Sequence, residues 1–334
     1  MRKFSAPHSV LSLNSLLVLA FVLLPYGRVF AWGFYGHRLI NRMAVFLLPP
    51  EMMVLYKPQI EFITEHAVDP DKRRYSVNGE APRHYIDLDR YGAYPYPDLP
   101  RLWNPAVARW GEDTLQAHGI VPWWTQVMLQ RLTEAFKQKD QMRILRLSCD
   151  IGHYIADAHV PLHACTNYNG KLTGQDGIHG FWESRVPELF AETEYDFFLG
   201  RAGYIDKPGD FIWERVLESA AAADTVLKSE AVLNARFAPD RKYAYEERLG
   251  KVVRQYSTAY SRAYSDMLNG MVERRMRQSI FAVAAFWYTA WVNAGQPDLR
   301  NLVNRTMTEQ EMLEYEELNK VWQSGKALGK ICEE

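Results

Sequence analysis

Cysteine is scarce in this chain of 334 residues, which contains only Cys149, Cys165 and Cys332. Three thiols are too few for a fold held by several disulfides or for a closed site of four cysteine ligands. Cys149 lies four residues before His153, on the same helical stripe. We expect a small buried side chain at Cys149, with a disulfide to Cys165 or a metal contact as the alternatives.

An excess of charge of one sign is also lacking, since 39 Lys and Arg residues face 40 Asp and Glu residues. This balance provides no overall attraction for nucleic acid, so any such binding requires a local basic strip. Alternating strand patterns of useful length, internal repeats and glycine-rich phosphate loops are missing too. The sequence therefore predicts an all-α fold, as a single multi-helix domain.

Long hydrophobic runs are limited to one near the amino terminus, at residues 16–24. A basic start precedes it, and Val29-Phe30-Ala31 offers small residues at a cleavage position, so residues 1–31 are predicted to be a signal peptide. The alternative is a membrane anchor, but a span needs about 20 apolar residues. We expect residues 32–334 to be exported, periplasmic or secreted, without a stable membrane span.

The most informative stretch contains two pairs of residues four apart, His153 with Asp157 and His179 with Glu183. Residues at this spacing project from one face of a helix, so each pair can direct a nitrogen and an oxygen at one point. Between the pairs, His163 follows a proline that ends the first helix. Imidazole and carboxylate ligands without thiols suit zinc in a hydrolytic site better than in a structural site.

A single pair of this kind is usually a surface pair or a hydrogen-bonded core histidine. Here both pairs follow an apolar helical stripe, Ile144, Leu145, Leu147, Ile151 and Ile155, which predicts that they are buried. Buried polar groups need partners, because an unpaired one costs several kcal/mol. One metal centre would provide partners for all of them.

Further candidate ligands lie upstream of this stretch. Trp32-Gly-x-x-Gly-His37 begins at the predicted cleavage site, where a free amine and its carbonyl can chelate a metal that His37 also reaches. Alternatively, Trp32 only packs and His37 is an ordinary helix residue. Asp69, which precedes a proline at a helix end, and His84 are also candidates, although each alone is more often a cap or a buried hydrogen-bonded residue.

The remaining patterns predict helices separated by short irregular segments. Residues 83–89 are expected to be extended, and residues 92–105 form a loop whose aromatic residues suit the border of a site. Thr308 and Glu311 form a capping box at the start of a last helix. The other expected helices cover 60–67, 211–229, 245–275 and 278–294, and residues 110–137 are expected to form a turn followed by a helix.

Taken together, the motifs resemble the zinc-dependent phospholipase C / S1-P1 nuclease superfamily. Those motifs are Trp32-Gly-x-x-Gly-His37, Asp69, His84-Tyr-Ile-Asp, His153-x3-Asp157-x5-His163 and His179-x3-Glu183. The match covers most of residues 32–334 and keeps the order of all nine ligand positions. It implies an all-α fold, three zinc ions, and hydrolysis of a phosphodiester by metal-activated water without a protein nucleophile.

The resemblance also implies how the ligands divide among the three ions. The first ion would take Asp69, His84, His153 and Asp157; the second His163, His179 and Glu183; the third the amine and carbonyl of Trp32, with His37 and the other oxygen of Asp157. Asp69 and Asp157 would be the catalytic carboxylates, with Asp157 bridging two ions. His159 fits neither histidine set, and we expect it to support the structure of the site.

The sequence leaves two substrate classes open, a phospholipid headgroup and single-stranded nucleic acid. Glu183 resembles the phospholipase C branch. Residues 32–334 contain 36 Lys and Arg against 40 Asp and Glu, and this mildly acidic net charge also favours that activity. The short interval from Trp32 to His37 resembles the nucleases, but the loop 167–177 matches theirs only loosely, so no nucleotide-binding residue is carried over. Tyr94, Tyr96 and Trp103 suit either base stacking or a lipid surface. A non-catalytic zinc-binding protein is a third possibility, and no protein partner is implied.

Overall fold

The computed structural model describes residues 33–248, 250–302, 307–325 and 327–328. The predicted signal peptide, Trp32 and Cys332 lie outside the described residues. The part that is described is mostly helical, as expected for the all-α class. None of the helices in this part is both long and apolar enough to cross a membrane.

Residues 33–158, all of which the structure describes, form eight α-helices. They are α1 (Gly33–Val45), α2 (Pro50–Tyr56), α3 (Ile60–Glu65), α4 (Asp69–Arg73), α5 (Trp103–Trp110), α6 (Glu112–His118), α7 (Val121–Gln138) and α8 (Gln141–Ala158). The segment expected to be extended instead contains the 3-10 turns Ala81–His84 and Leu88–Tyr91, and α5 begins inside the predicted loop.

The described residues after 158 form six more helices and one hairpin. They are α9 (Ile178–Gly180), which continues as a π-helix at Phe181–Arg185, α10 (Val186–Glu194), α11 (Pro208–Arg236), β1 (Tyr243–Arg248), β2 (Lys251–Tyr256), α12 (Thr258–Met267), α13 (Met271–Asn293) and α14 (Glu309–Ser324). The capping box at the start of α14 is confirmed, because Glu311 N donates to Thr308 Oγ1 at 3.2 Å and Thr308 N donates to Glu311 Oε2 at 2.8 Å.

The hairpin corrects the prediction of one helix over residues 245–275. Its strands are antiparallel, with Tyr243 opposite Tyr256, and β1 alternates between exposed and partly buried residues. The segment is rich in aromatic and β-branched side chains, which fit a half-buried strand better than a helix. Gly250 takes a positive φ of 74° at the turn, a conformation that glycine adopts without steric cost.

Helix α8 passes through the core and anchors its neighbours around Ser148. The Ser148 hydroxyl forms a 2.7 Å hydrogen bond with Tyr56, and the Ser148 carbonyl accepts one of 3.0 Å from Trp287. These bonds tie α2 and α13 to the first half of α8. Residues 151–158 of α8, which include His153 and Asp157, are all buried.

Candidate metal centre

Three groups of buried side chains, two of which share His153, each bring nitrogen and oxygen atoms within 4.8 Å of one another. The groups are His37 with His153 and Asp157; Asp71 with His84 and His153; and His163 with His179 and Glu183. Seven of the nine predicted ligand residues therefore lie in these groups. Of the other two, Trp32 lies outside the described residues and Asp69 is replaced by Asp71.

Close packing of α1 on α8 places His37 beside His153. At Gly152, a Cβ atom would lie only 2.2 Å from Asn41 Oδ1, so this approach requires glycine. One residue further along α8, the ring of His153 stacks on that of His37 with centroids 3.7 Å apart. The glycine thus allows two histidines from different helices to share one face of the cluster.

Asp157 lies between histidines from four segments of the chain. Its Oδ2 atom is 2.9 Å from His84 Nδ1 and 3.2 Å from His153 Nε2. Its Oδ1 atom is 3.5 Å from both His37 Nε2 and His163 Nδ1. A carboxylate with histidines on both oxygens has the placement that a bridging ligand needs.

Asp71, which the sequence analysis missed, faces His84 and His153. Asp71 Oδ1 lies 3.6 Å from His153 Nε2 and 3.7 Å from His84 Nδ1. The other nitrogen of His153, Nδ1, lies 2.9 Å from the carbonyl oxygen of Ala67. This contact suits a tautomer with the proton on Nδ1 and directs Nε2 at the carboxylates.

Asp69 has other partners, so the expectation that it belongs to this group is corrected. Its carboxylate oxygens lie 2.7 Å from His66 Nδ1 and 3.0 Å from Lys72 Nζ. Residues two apart on a helix do not share a face, so only one of Asp69 and Asp71 can turn toward the cluster. The sequence carried a signal for this choice, because His66 and Lys72 are each three residues from Asp69 and suit ion pairs with it.

The third group joins a turn after α8 to the junction of α9 and the π-helix. His163 Nε2 lies 3.0 Å from His179 Nε2, and His179 Nε2 lies 2.8 Å from Glu183 Oε1. His163 Nδ1 is 2.7 Å from the carbonyl oxygen of His84, which orients the ring. Glu183 lies on the π-helix, a widened turn that is frequent at functional sites.

The buried histidines and carboxylates of the cluster shift one another's pKa values. Burial alone would lower the pKa of His153, but the carboxylates of Asp157 and Asp71 outweigh it and raise the pKa to about 10. In the same way, burial would raise the pKa of Asp71, but the charge of His153 holds it at about 2. Burial lowers the pKa of His163 to about 3. A metal that binds to His153 must therefore displace a proton.

Several buried polar atoms lack hydrogen-bond partners among the described residues and are suited to bind a divalent cation. Among the residues that the structure describes, no hydrogen-bond partner reaches either ring nitrogen of His37, either carboxylate oxygen of Asp71, or Asp157 Oδ1. Such atoms are costly unless a ligand engages them. The donors are nitrogen and oxygen, a set that suits zinc among other transition metals.

The two described cysteines do not contribute to these groups. Within the described residues no disulfide joins Cys149 to Cys165, so that alternative is wrong. The sulfur of Cys149 lies 3.8 Å from the carbonyl oxygen of Ile63, and the side chain is buried as expected.

Gly33, the first described residue, lies against the third group. It has a positive φ of 30°, and a Cβ atom there would be 2.7 Å from the hydroxyl of Ser184, the neighbour of Glu183. The chain that follows the predicted cleavage site therefore begins beside the candidate centre.

His159 is buried but belongs to none of the three groups. Its Nδ1 atom lies 2.7 Å from the Ile155 carbonyl oxygen, and its own carbonyl accepts a 2.8 Å hydrogen bond from Arg275. Burial, with the nearby charge of Arg275, lowers its pKa well below the ordinary value. These contacts suit the supporting role that the sequence predicted.

Comparison of the chain with protein-family models and with curated proteins finds no match. The superfamily named from the motifs therefore stays a prediction.

Proposed function

We propose that this protein is an exported, zinc-dependent phosphodiester hydrolase of the phospholipase C / S1-P1 nuclease type. The observation that carries the proposal is the position of Asp157, whose two oxygens lie within 3.5 Å of nitrogens from four histidines. A solitary buried carboxylate would not require four imidazoles. A centre of several cations bridged by that carboxylate would need these imidazoles as further ligands.

The three groups indicate which residues would hold which ion. Asp71, His84, His153 and Asp157 would hold the first; His163, His179 and Glu183 the second; and His37 with Asp157, completed by the terminal amine and carbonyl of Trp32, the third. When bound, such ions supply a water of lowered pKa as nucleophile and positive charge for phosphate oxygens.

The chain itself orients the ligands and keeps bulk water from them. Carbonyl oxygens of Ala67 and His84 orient the rings of His153 and His163. All the proposed described ligands are buried, at 4 % exposure or less. In such a site the charges of Asp71, Asp157 and Glu183 act at short range and are weakly screened.

A phospholipid is the substrate class that we propose first. Glu183 supports it by resemblance, and so does Leu172, a 76 % exposed apolar side chain on the loop that precedes His179. The ring of Tyr168, on the same loop, lies 5.9 Å from that of His179. An exposed leucine on a loop beside the centre suits a lipid surface.

Single-stranded nucleic acid is the second candidate. Tyr94 is 58 % exposed, and its ring lies 5.8 Å from that of Tyr96, so the pair offers a surface on which a base can stack.

The test compares three substrates with purified protein that begins at Trp32 and is loaded with zinc. Bis-p-nitrophenyl phosphate reports phosphodiesterase activity, and phosphatidylcholine and single-stranded DNA or RNA separate the two substrate classes. We expect phosphatidylcholine cleavage, and we expect Asp157→Asn to abolish all hydrolysis, because the bridging charge is lost. Nucleic acid cleavage without lipid cleavage would select the nuclease branch. Zinc binding without any hydrolysis would identify a zinc-binding protein that is not an enzyme.

A further inference from the structure

Glu80 is a completely buried carboxylate, at 0 % exposure, that the proposed chemistry does not use. It immediately precedes the 3-10 turn Ala81–His84 and lies four residues before the candidate ligand His84. Burying a carboxylate is costly unless several donors surround it, so its retention at this position requires a physical reason.

His84 directs its two ring nitrogens to different surroundings. Nδ1 lies 2.9 Å from Asp157 Oδ2 and 3.0 Å from His153 Nε2, within the candidate centre. Nε2 lies on the other side of the ring, 3.7 Å from Glu80 Oε1. A neutral imidazole carries one proton, so an Nδ1 lone pair that faces a metal requires an N–H at Nε2. That N–H would point toward Glu80.

Donors on three sides hold the Glu80 carboxylate in place. Tyr154 donates its hydroxyl proton to Oε1 in a short hydrogen bond, and Arg83 donates to Oε2 at 2.5 Å. Arg73 Nε lies 3.6 Å from Oε2. Burial would raise the pKa of Glu80, but the contact with His84 and the charges of both arginines hold it well below its usual range.

The two arginines are themselves anchored. The guanidinium of Arg83 stacks over the ring of Trp124 at 4.0 Å, and Arg73 makes a 3.0 Å ion pair with Asp150. Glu80 therefore cannot easily turn away from His84.

We propose that Glu80 is a positioning residue that holds His84 in the tautomer and orientation needed for Nδ1 to bind metal. The proposal rests on the metal centre of the proposed function. In it, the carboxylate faces the Nε2–H of His84 at 3.7 Å and favours the proton on that nitrogen by its negative charge, while Tyr154, Arg73 and Arg83 hold the carboxylate in place. A carboxylate behind a metal-binding histidine increases the basicity of the ring as well as orienting it.

The competing explanation is that Glu80 only joins the arginines to α8 as part of an ion-pair network. Asp150 separates the two explanations, because it shares Arg73 with Glu80 but is not one of the described partners of His84. Glu80→Gln and Asp150→Asn remove the same charge from the same network. Only the first changes the group that faces His84.

The experiment measures zinc affinity by chelator competition, thermal unfolding of the metal-free proteins, and the ring 15N shifts of His84. For Glu80→Gln we expect a loss of about 10–100-fold in affinity for one ion, the range found for such partners, and a mixture of tautomers in the metal-free ring. For Asp150→Asn we expect less than about a three-fold loss and the wild-type tautomer.

Tyr154→Phe provides a second variant in case Glu80→Gln folds poorly. It keeps the ring in place and removes the hydroxyl that donates to Glu80 and accepts from Arg73, so we expect an intermediate loss of zinc affinity with a wild-type zinc count. Equal affinity losses in Glu80→Gln and Asp150→Asn, or an unaltered His84 tautomer in Glu80→Gln, would overturn the proposal while leaving the metal centre intact. Failure of the wild-type protein to bind zinc would overturn both.

Discussion

Two aspartates that flank Pro70 have opposite roles in the structure. Asp71 has both oxygens buried in the candidate centre, whereas Asp69 forms ion pairs with His66 and Lys72. Their chemistry is identical, and their separation of two residues on α4 alone sets them apart. At the scale of single residues, the face of α4 on which an aspartate lies thus decides whether its carboxylate points into the candidate centre.

This difference predicts opposite results for two conservative variants. Asp71→Asn removes the charge of a proposed ligand. Loss of a residue that only hydrogen-bonds a ligand lowers metal affinity by about 10–100-fold, and we expect a larger loss of zinc affinity here. Asp69→Asn should keep zinc affinity and lower the free energy of unfolding by about 3 kcal/mol, because Lys72 and His66 lose a buried partner. Zinc counting and chemical denaturation measure the two effects. The reverse pattern would restore Asp69 to the ligand set.

The terminal amine of Trp32 gives a second prediction at this scale. An amine with a pKa of about 8 can lose its proton to bind a metal, whereas an amide nitrogen is a poor ligand. We expect a protein with one methionine added before Trp32 to bind one zinc ion less tightly and to hydrolyse substrate more slowly than protein that begins at Trp32. Equal zinc content and equal rates would show that the amine is not a ligand.

At the scale of elements, the contact between α1 and α8 places His37 beside His153. Asn41 of α1 donates a 3.2 Å hydrogen bond to the Cys149 carbonyl, and its side chain fills the space above Gly152. The two helices are therefore held at a spacing that lets His37 stack on His153.

Gly152→Ala tests this spacing. The added methyl group would overlap Asn41, which is buried and cannot move aside, so we expect a loss of about 1–3 kcal/mol in stability and weaker zinc binding. Gly209→Ala is the matched control, because there the methyl group would meet the flexible end of the Gln126 side chain at 2.8 Å. If Gly152→Ala binds zinc as the control does, the helix spacing does not set the site.

The hairpin and α12 pack aromatic rings against the π-helix that carries Glu183. Phe181 stacks on Tyr256 at 3.8 Å and on Tyr264 at 4.7 Å. Burial raises the pKa values of Tyr256, Tyr260 and Tyr264 well above the ordinary value of about 10.

These tyrosines predict alkaline unfolding. The folded protein keeps their protons, whereas the unfolded chain releases them above a pH of about 10, so their contribution to stability is complete below that pH and is lost as the pH rises. Tyrosinate absorbance should increase in the same step in which helical circular dichroism is lost. In Tyr264→Phe, the absorbance increase in that step should correspond to one tyrosinate fewer. Ionisation of all tyrosines before unfolding would contradict the prediction.

At the scale of the whole molecule, the candidate centre draws its residues from distant parts of the chain. His84 and Asp157, 2.9 Å apart in space, are 73 residues apart in sequence, and His163 receives its orientation from a carbonyl 79 residues away. Ions bound there would cross-link α1, α4, α8 and the turn that follows α8 to the π-helix.

Metal removal should therefore destabilise the entire domain. A ligand that binds only the folded state adds about 4 kcal/mol when its concentration is a thousand times its dissociation constant. We expect a chelator to lower the unfolding temperature and added zinc to restore it. Magnesium should not restore it, because nitrogen ligands do not suit that ion. An unfolding temperature that zinc and chelator leave unchanged would exclude a tightly bound metal.

Local spacing determined much of what could be predicted. The pairing of His153 with Asp157 and of His179 with Glu183 follows from the four-residue period of a helix, and the capping box of α14 follows from Thr308 and Glu311 alone. The all-α class follows from the same short-range periodicity. These features need no information about the rest of the chain.

The tertiary structure decided the features that the spacing of residues along the chain does not predict. It selected Asp71 over Asp69, since only packing against α8 shows which carboxylate faces His153. It placed Glu80 behind His84, and it formed the hairpin 243–256 in a segment expected to be helical, where Phe181 packs on Tyr256. The physical reason is the same in each case: contacts between residues far apart in sequence outweigh local preferences, and those contacts exist only once the helices have packed.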